Sequence, residues 1–119
     1  MQKETNERVS PEIPIQLFEV LEVGFGSGLN MACYPPAVRR VRAVEPSAVA
    51  RKLAAERVAA SAIPVEYIGG DARALPLADA SVDHVVSVLT LCTIPAADRA
   101  LAEIRRVLRP GGRVSLHGA

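Results

Sequence analysis

Three short runs along the chain bring together residue types suited to holding a nucleoside-bearing ligand. The first, Glu22-Val23-Gly24-Phe25-Gly26-Ser27-Gly28, sets an acid ahead of alternating glycines. Glycine adopts backbone angles that other residues resist and leaves room for a ligand against the main chain. The same run also serves as a tight strand-to-helix turn with no ligand, and such glycines are weak evidence by themselves. The second is Glu45, followed by Pro46-Ser47. An acid about 20 residues beyond a glycine turn is placed to accept hydrogen bonds from ribose hydroxyls. The plainer alternative is a solvated carboxylate at a strand end. The third is Gly70-Asp71-Ala72, with Leu75-Pro76 beyond it. Asp71 is suited to accept a hydrogen bond from an adenine amino group, or else to form an ordinary turn through local backbone bonding.

Each run lies at the end of a predicted strand. Phe18 to Val23 reads as the first strand, stopped by Gly24. Val41 to Glu45 reads as the second, and Pro64 to Ile68 as the third, stopped by Gly69-Gly70. Val82 to Leu89 is nearly all apolar, the pattern of a central strand buried on both faces. Arg113 to Leu116 makes a fifth. Between them, Leu29 to Tyr34 suggests a short helix ended by Pro35-Pro36. Ser47 is suited to cap a helix that reaches about Ala60 and carries Val49, Leu53 and Val58. A last helix starts near Pro95 and has Leu101, Ile104 and Leu108 at helical spacing. Arg105, Arg106 and Arg109 occupy its last turns, and Pro110-Gly111-Gly112 stops it. Strands alternating with helices predict an α/β fold: a Rossmann-like, doubly wound, mainly parallel sheet of about five strands with helices on both faces. Such sheets bind ligands outside the carboxyl ends of their strands, where the strand order reverses. The three runs fall there.

Composition narrows the partners. The 119 residues make one small domain. Residues 1–14 read as a polar N-terminal arm carrying Pro11 and Pro14, and residues 15–119 as the binding core. A net charge of +1, from fourteen basic and thirteen acidic residues, lacks the basic excess that phosphate neutralisation requires. The aromatics are only Phe18, Phe25, Tyr34 and Tyr67, too few for a base-stacking surface, so no nucleic-acid partner is expected. No apolar run approaches the roughly 20 residues of a membrane span. The first residues lack the apolar stretch of a signal peptide, so a soluble, cytoplasmic protein is expected. Cys33 and Cys92 form no CxxC pair. Both are expected as reduced, semi-buried thiols, and no metal site is expected.

The glycine loop and Glu45 suit NAD and S-adenosylmethionine (SAM) equally. Longer runs are more specific. LEVGFGSG, AVEPS, GGDARALPLADASVDHVVSVLTLC and EIRRVLRPGGRV together resemble the class I SAM-dependent methyltransferases. The likeness is nearest to the type-11 group, which includes methyltransferase-like proteins with LEVGFGSGLN and TLC patterns. It covers about Leu21 to Val114. RVLRPGG ahead of a strand, together with GDAxxLP, separates this family from NAD-binding Rossmann proteins better than the glycines do. The resemblance implies that Gly24, Phe25, Gly26 and Gly28 surround the methionine part of SAM, with Glu22 as the motif's acid. It places Glu45, with Pro46 beside it, on the ribose, Asp71 near the adenine amino group, and Ala72 beside it with a backbone amide. Leu89 to Cys92 would form the floor between cofactor and acceptor, and Asp83 would be structural.

No catalytic residue is assigned. His84 lies inside a strand and reads as structural. His117 lies beyond the fifth strand, in a tail where relatives often carry an acid-His-Gly run; here the acid is missing and the role is unassigned. Nothing near Cys92 marks it as an activated nucleophile. The resemblance implies methyl transfer from SAM to a small-molecule or lipid-like acceptor, with thiols or lipids favoured by analogy alone. The alternative is a non-catalytic SAM-binding module, or an incomplete subunit needing a partner. A dinucleotide-dependent oxidoreductase rests on the glycine loop and Glu45 alone. Family members usually continue past the fifth strand to complete a seven-stranded sheet. By that comparison the usual last two strands are missing, the fifth strand is an open edge, and a homo-oligomer is expected.

Overall fold

The computed structural model describes residues 18–88 and 97–117, with backbone alone at residues 88, 116 and 117. Among these residues five strands and two α-helices follow in the order β1 (Phe18–Val23), β2 (Val38–Val44), α1 (Ala48–Ala60), β3 (Val65–Tyr67), β4 (Val82–Val88), α2 (Ala97–Val107) and β5 (Leu108–His117), with no helix between β3 and β4. A short 3-10 helix, Leu29–Cys33, stands between β1 and β2. The strands form one parallel sheet in the order β3-β2-β1-β4-β5. The chain therefore winds outward from β1 to β3 and crosses back to β4. The order reverses between β1 and β4, which opens a crevice at the carboxyl end of β1. This is the doubly wound α/β architecture expected from the sequence.

The central strand is buried on both faces. Leu21 and Val23 pack with Val85 and with Ala100 and Ile104 of α2. Val20 packs on the other side with Val41, Ala43 and Ala54 of α1. The two helices thus cover opposite faces. In α2 the buried residues Ala100, Ile104 and Val107 recur at helical spacing and form its docking face. In α1 only Ala54 is fully buried, and the apolar Val49 and Leu53 are exposed. The helix sits close to the glycine turn. A Cβ added to Gly28 would lie 3.4 Å from Ala54 Cβ, so the helix leans on the glycine turn through its smallest side chain.

Several boundaries differ from the sequence reading. β2 begins at Val38, not Val41. Val38 is followed by two arginines, and Arg40 Nε donates to Glu19 Oε1 at 2.8 Å, so ion pairing hides the start of the strand from an apolar pattern. α2 ends at Val107, and Leu108, expected on that helix, opens β5. Pro110-Gly111-Gly112 lies within β5, where the register jumps from Val82–Leu108 to His84–Arg113 and the residues between bulge from the ladder. A Cβ on Gly112 would stand 2.7 Å from Leu108 Cδ1 and 2.8 Å from the Asp83 carbonyl oxygen, so the bulge closes only on glycine. His117 is the last residue of β5 and not part of a tail beyond it. Cys33, expected to be semi-buried, is exposed and free. The proposed arm (residues 1–14), Leu89, Cys92 and Pro95 lie outside the described residues. No helix among the described residues is long and apolar enough to cross a membrane.

Candidate functional site

β1 delivers the chain into the glycine loop. Gly24, Gly26 and Gly28 all take positive φ, at 79°, 61° and 79°. The N–H groups of Gly24 and Phe25 both donate to the Val44 carbonyl, at 2.9 and 3.3 Å, which draws the loop onto the end of β2. Gly28 is crowded: a Cβ there would lie 3.3 Å from the Phe25 ring. Gly26 is open, its nearest neighbour being the Gly24 carbonyl oxygen at 4.0 Å. A left-handed residue with free space above it is what a ligand resting on the main chain requires.

The acids around the loop have distinct partners. Glu22 is 1% exposed and accepts from Asn30 Nδ2 at 3.0 Å and from the Tyr34 hydroxyl at 2.6 Å. Burial, then the bond to Glu22, pushes the Tyr34 hydroxyl far above its usual range. Glu22 thereby fastens the segment after the loop to β1. Glu45 is also buried. Its Oε1 accepts from Gly26 N at 2.8 Å and its Oε2 from Ser47 N at 2.9 Å. The Ser47 hydroxyl in turn accepts from Ala50 N at 3.1 Å and caps α1, as expected. One carboxylate therefore joins the glycine loop to a helix N-terminus.

Asp71 follows β3. A Cβ on Gly70 would stand 3.1 Å from Pro46 Cα, so this segment runs against Pro46 beside Glu45. Asp71 Oδ1 accepts from Arg73 N and Nε, both at 2.9 Å, and Oδ2 accepts from Arg73 Nη2 at 3.2 Å. These bonds hold the Asp71 carboxyl below the usual carboxylate range. Ala72 is buried with Val23 and Val44. Phe25 meets Tyr67 edge to face at 5.7 Å, and the Arg51 guanidinium lies 5.9 Å from the Tyr67 ring centre. Loop, α1 and β3 share this wall.

The glycine loop, Glu45-Pro46 and Asp71-Ala72 thus gather at the carboxyl ends of β1, β2 and β3. Leu89 is outside the described residues. Asn30, Tyr34 and Arg73 went unrecognised in the sequence because each acts only through another residue's carboxylate. Ser87 was missed as well. It is the register partner of Val23 and is 2% exposed, and its hydroxyl has no hydrogen-bond partner among the described residues. His84 Nε2 lies 2.7 Å from Ser115 Oγ across β4 and β5, which fits a structural role. Asp83 Oδ2 accepts from Glu19 N at 2.8 Å and Oδ1 pairs with Arg109 at 2.9 Å, also structural.

A cavity of about 900 Å³ lies elsewhere, over the strand bodies, lined by Val20, Val38, His84, Val86 and Ser115. None of the strand-end acids lines it, although Asn30 and Tyr34, the partners of Glu22, do. No metal-binding cluster occurs among the described residues.

Comparison with known proteins bears on this arrangement. Residues 21–116 match a family described as "Methyltransferase domain". Human thiol S-methyltransferase TMT1B is 39% identical over 98 residues, covering 78% of this chain and 39% of that protein. Malonyl-[acyl-carrier protein] O-methyltransferase of Pectobacterium atrosepticum is 34% identical over 116 residues, covering 97% of this chain and 44% of that protein. A solved structure titled a putative methyltransferase, from Bacillus halodurans, superposes with a TM-score of 0.75 at 29% identity, covering 84% of this chain and 44% of its own. The chain thus spans about two fifths of the length of the curated relatives it matches.

Proposed function

The chain belongs to the methyltransferase domain family, and from that premise we propose that Gly24 to Gly28, Glu45 and Asp71-Ala72 form its SAM site, serving methyl transfer to a small-molecule or lipid-like acceptor. SAM is the family's cofactor, and the residues present fit it. Gly26 offers open main chain. Each Glu45 oxygen accepts a single N–H, which leaves a lone-pair site on each for a ribose hydroxyl. The Asp71 side chain is 51% exposed, so an adenine amino group can reach it.

When bound, SAM supplies a methyl carbon made electrophilic by its sulfonium. The chain's own part is alignment: the loop and the two carboxylates fix the cofactor at the carboxyl ends of the strands, and proximity and orientation supply much of the rate. An acceptor that arrives already nucleophilic asks for no further base. The human relative's name specifies a thiol acceptor and the Pectobacterium relative's an oxygen acceptor. The shared core therefore supports the reaction class without selecting the acceptor atom.

The observation that carries this reading is the order of the strand-end groups around one crevice. Calorimetry with SAM or S-adenosylhomocysteine tests it. Binding that falls sharply in the Glu45→Ala, Asp71→Ala double variant is expected. A folded sample that binds nothing at millimolar ligand, or a double variant that binds equally well, refutes the assignment. Labelled SAM offered with panels of thiols and acyl lipids then tests turnover. Binding without turnover across the panels would favour a SAM-binding module completed by a partner.

A further inference from the structure

The segment from Asp71 to Ala80 has no regular structure, yet it carries the proposed adenine contacts. Two side chains of α2 hold it. Glu103 Oε1 accepts from Leu75 N at 2.9 Å. Arg106 Nη2 donates to the Leu75 carbonyl at 3.0 Å, and Nη1 donates to the Leu77 carbonyl at 2.8 Å and to Asp79 Oδ1 at 2.7 Å. Glu103 and Arg106 are themselves joined, Nε to Oε2 at 2.9 Å and Nη2 to Oε1 at 3.0 Å. All five guanidinium N–H donors are thereby used, and both backbone polar groups of Leu75 are fixed by α2.

Leu75 is three residues from Ala72, and both are buried in one cluster with Ile104. A fixed Leu75 therefore leaves Ala72 and Asp71 little freedom. The pair is not needed to dock α2, because Ala100, Ile104 and Val107 already bury that helix against the sheet. Its bonds go to a loop, and a planar fork spanning several carbonyl oxygens is a geometry that Lys cannot copy.

We propose that Glu103 and Arg106 are positioning residues that set the adenine end of the cofactor site by clamping the Asp71–Ala80 loop. The proposal rests on the reading of Asp71 and Ala72 as adenine contacts. It assigns to the Glu-Ile-Arg-Arg stretch a part in cofactor discrimination as well as in the fold.

The test compares S-adenosylhomocysteine with S-inosylhomocysteine, in which oxygen replaces the adenine amino group. Calorimetry is run on the unaltered chain and on the Arg106→Lys and Glu103→Gln variants, each with a melting curve. The unaltered chain should prefer S-adenosylhomocysteine by about tenfold or more, the size of one well-made hydrogen bond to a charged group. Arg106→Lys should lose affinity for S-adenosylhomocysteine and most of the preference between the two ligands. Glu103→Gln keeps an acceptor for Leu75 N and should retain part of that preference. A variant that melts lower yet keeps the full preference would make the pair purely structural and overturn the proposal, as would an unaltered chain with no preference. No binding of S-adenosylhomocysteine by the unaltered chain would remove the underlying reading of the site as well.

Discussion

Substituting Gln for Glu45 keeps the side chain's shape and removes one acceptor. In the native chain Oε1 accepts from Gly26 N at 2.8 Å and Oε2 from Ser47 N at 2.9 Å. An amide offers one oxygen and one NH₂, so in either orientation one backbone N–H faces a donor. Glu45 is 8% exposed, and water reaches the mismatch poorly. Hydrogen bonds to charged groups contribute roughly 1.5–3 kcal/mol each, and the surviving bond loses its charge assistance. The expected loss of stability is therefore about 2–3 kcal/mol. For a domain of this size that lowers Tm by roughly 8–12 °C. The ribose would also face a neutral amide with one acceptor, so the Kd for S-adenosylhomocysteine should rise about ten- to a hundredfold. Paired melting curves and calorimetry measure both effects. A Glu45→Gln chain that melts with the native one and binds equally well would refute the assembly described. A lowered Tm with unchanged affinity would confine Glu45 to supporting the loop and take it off the ribose.

Four further outcomes are expected. The folded Tyr34 hydroxyl titrates above its ordinary value of 10.0, so its stabilisation is whole below that pH and is lost as pH rises beyond it. Tyr34→Phe should reduce the alkaline limb in denaturation midpoints, to which Tyr67 also contributes, and cost about 1–3 kcal/mol at neutral pH by stripping Glu22 of a donor. Arg106, then Leu75 N–H, pulls Glu103 down from 4.5 to about 2, so its contribution is present above pH 4.5 and fades as pH falls toward 2. Urea unfolding across acid pH should show a slope that is shallower in Glu103→Gln, the remainder coming from Asp71, which Arg73 also holds low; an equal slope in both chains would refute the assignment. Gly112→Ala should destabilise by about 1–3 kcal/mol through the clash with Leu108 and the Asp83 carbonyl. Gly111→Ala, with open space but φ 82°, should cost about 1–2 kcal/mol from backbone strain alone; equal stability of both variants with the native chain would refute the bulge geometry. Finally, among the described residues β5 pairs only with β4 and leaves Val114 41% exposed. Sedimentation should show concentration-dependent association that Val114→Lys suppresses, and a monomer at every concentration would contradict it.

The sheet was legible in the sequence because its central strands are buried on both faces and write continuous apolar runs, as in Val82 to Val88. The strand-end acids were legible because glycines and strand ends fix their positions. β2 reads short in the sequence, since Arg39 and Arg40 at its start are placed by Glu19 and not by burial. The Pro110-Gly111-Gly112 run was read as a terminator, its usual meaning, although a register jump absorbs it within β5. The clamp from Glu103 and Arg106 was illegible for another reason. Apart from Asp79, its partners on the loop are backbone atoms 28 to 31 residues away, and backbone carries no residue-type signal.

The two carboxylates proposed to read the cofactor enter binding from different starting points. Glu45 already lies on two backbone N–H groups and keeps a lone-pair site on each oxygen, so a ribose diol can add to it with nothing displaced. Asp71 accepts three bonds from one residue, and Oδ1 is filled by Arg73 N and Nε. Only Oδ2 has capacity left, and its bond to Arg73 Nη2 is the longest of the three at 3.2 Å. An amino group approaching Asp71 must therefore take the second site on Oδ2 or replace that bond. The ribose end is preorganised, while the adenine end either fills the second site on Oδ2 or exchanges a weak internal bond for a ligand bond. Exchange of this kind returns little net affinity, because a bond is lost for each one formed. A ligand that presents an oxygen there in place of the amino group faces the carboxylate with no donor and is penalised. On this geometry Glu45 supplies the larger share of binding and Asp71 the larger share of selectivity, so replacing each alone should separate affinity from discrimination.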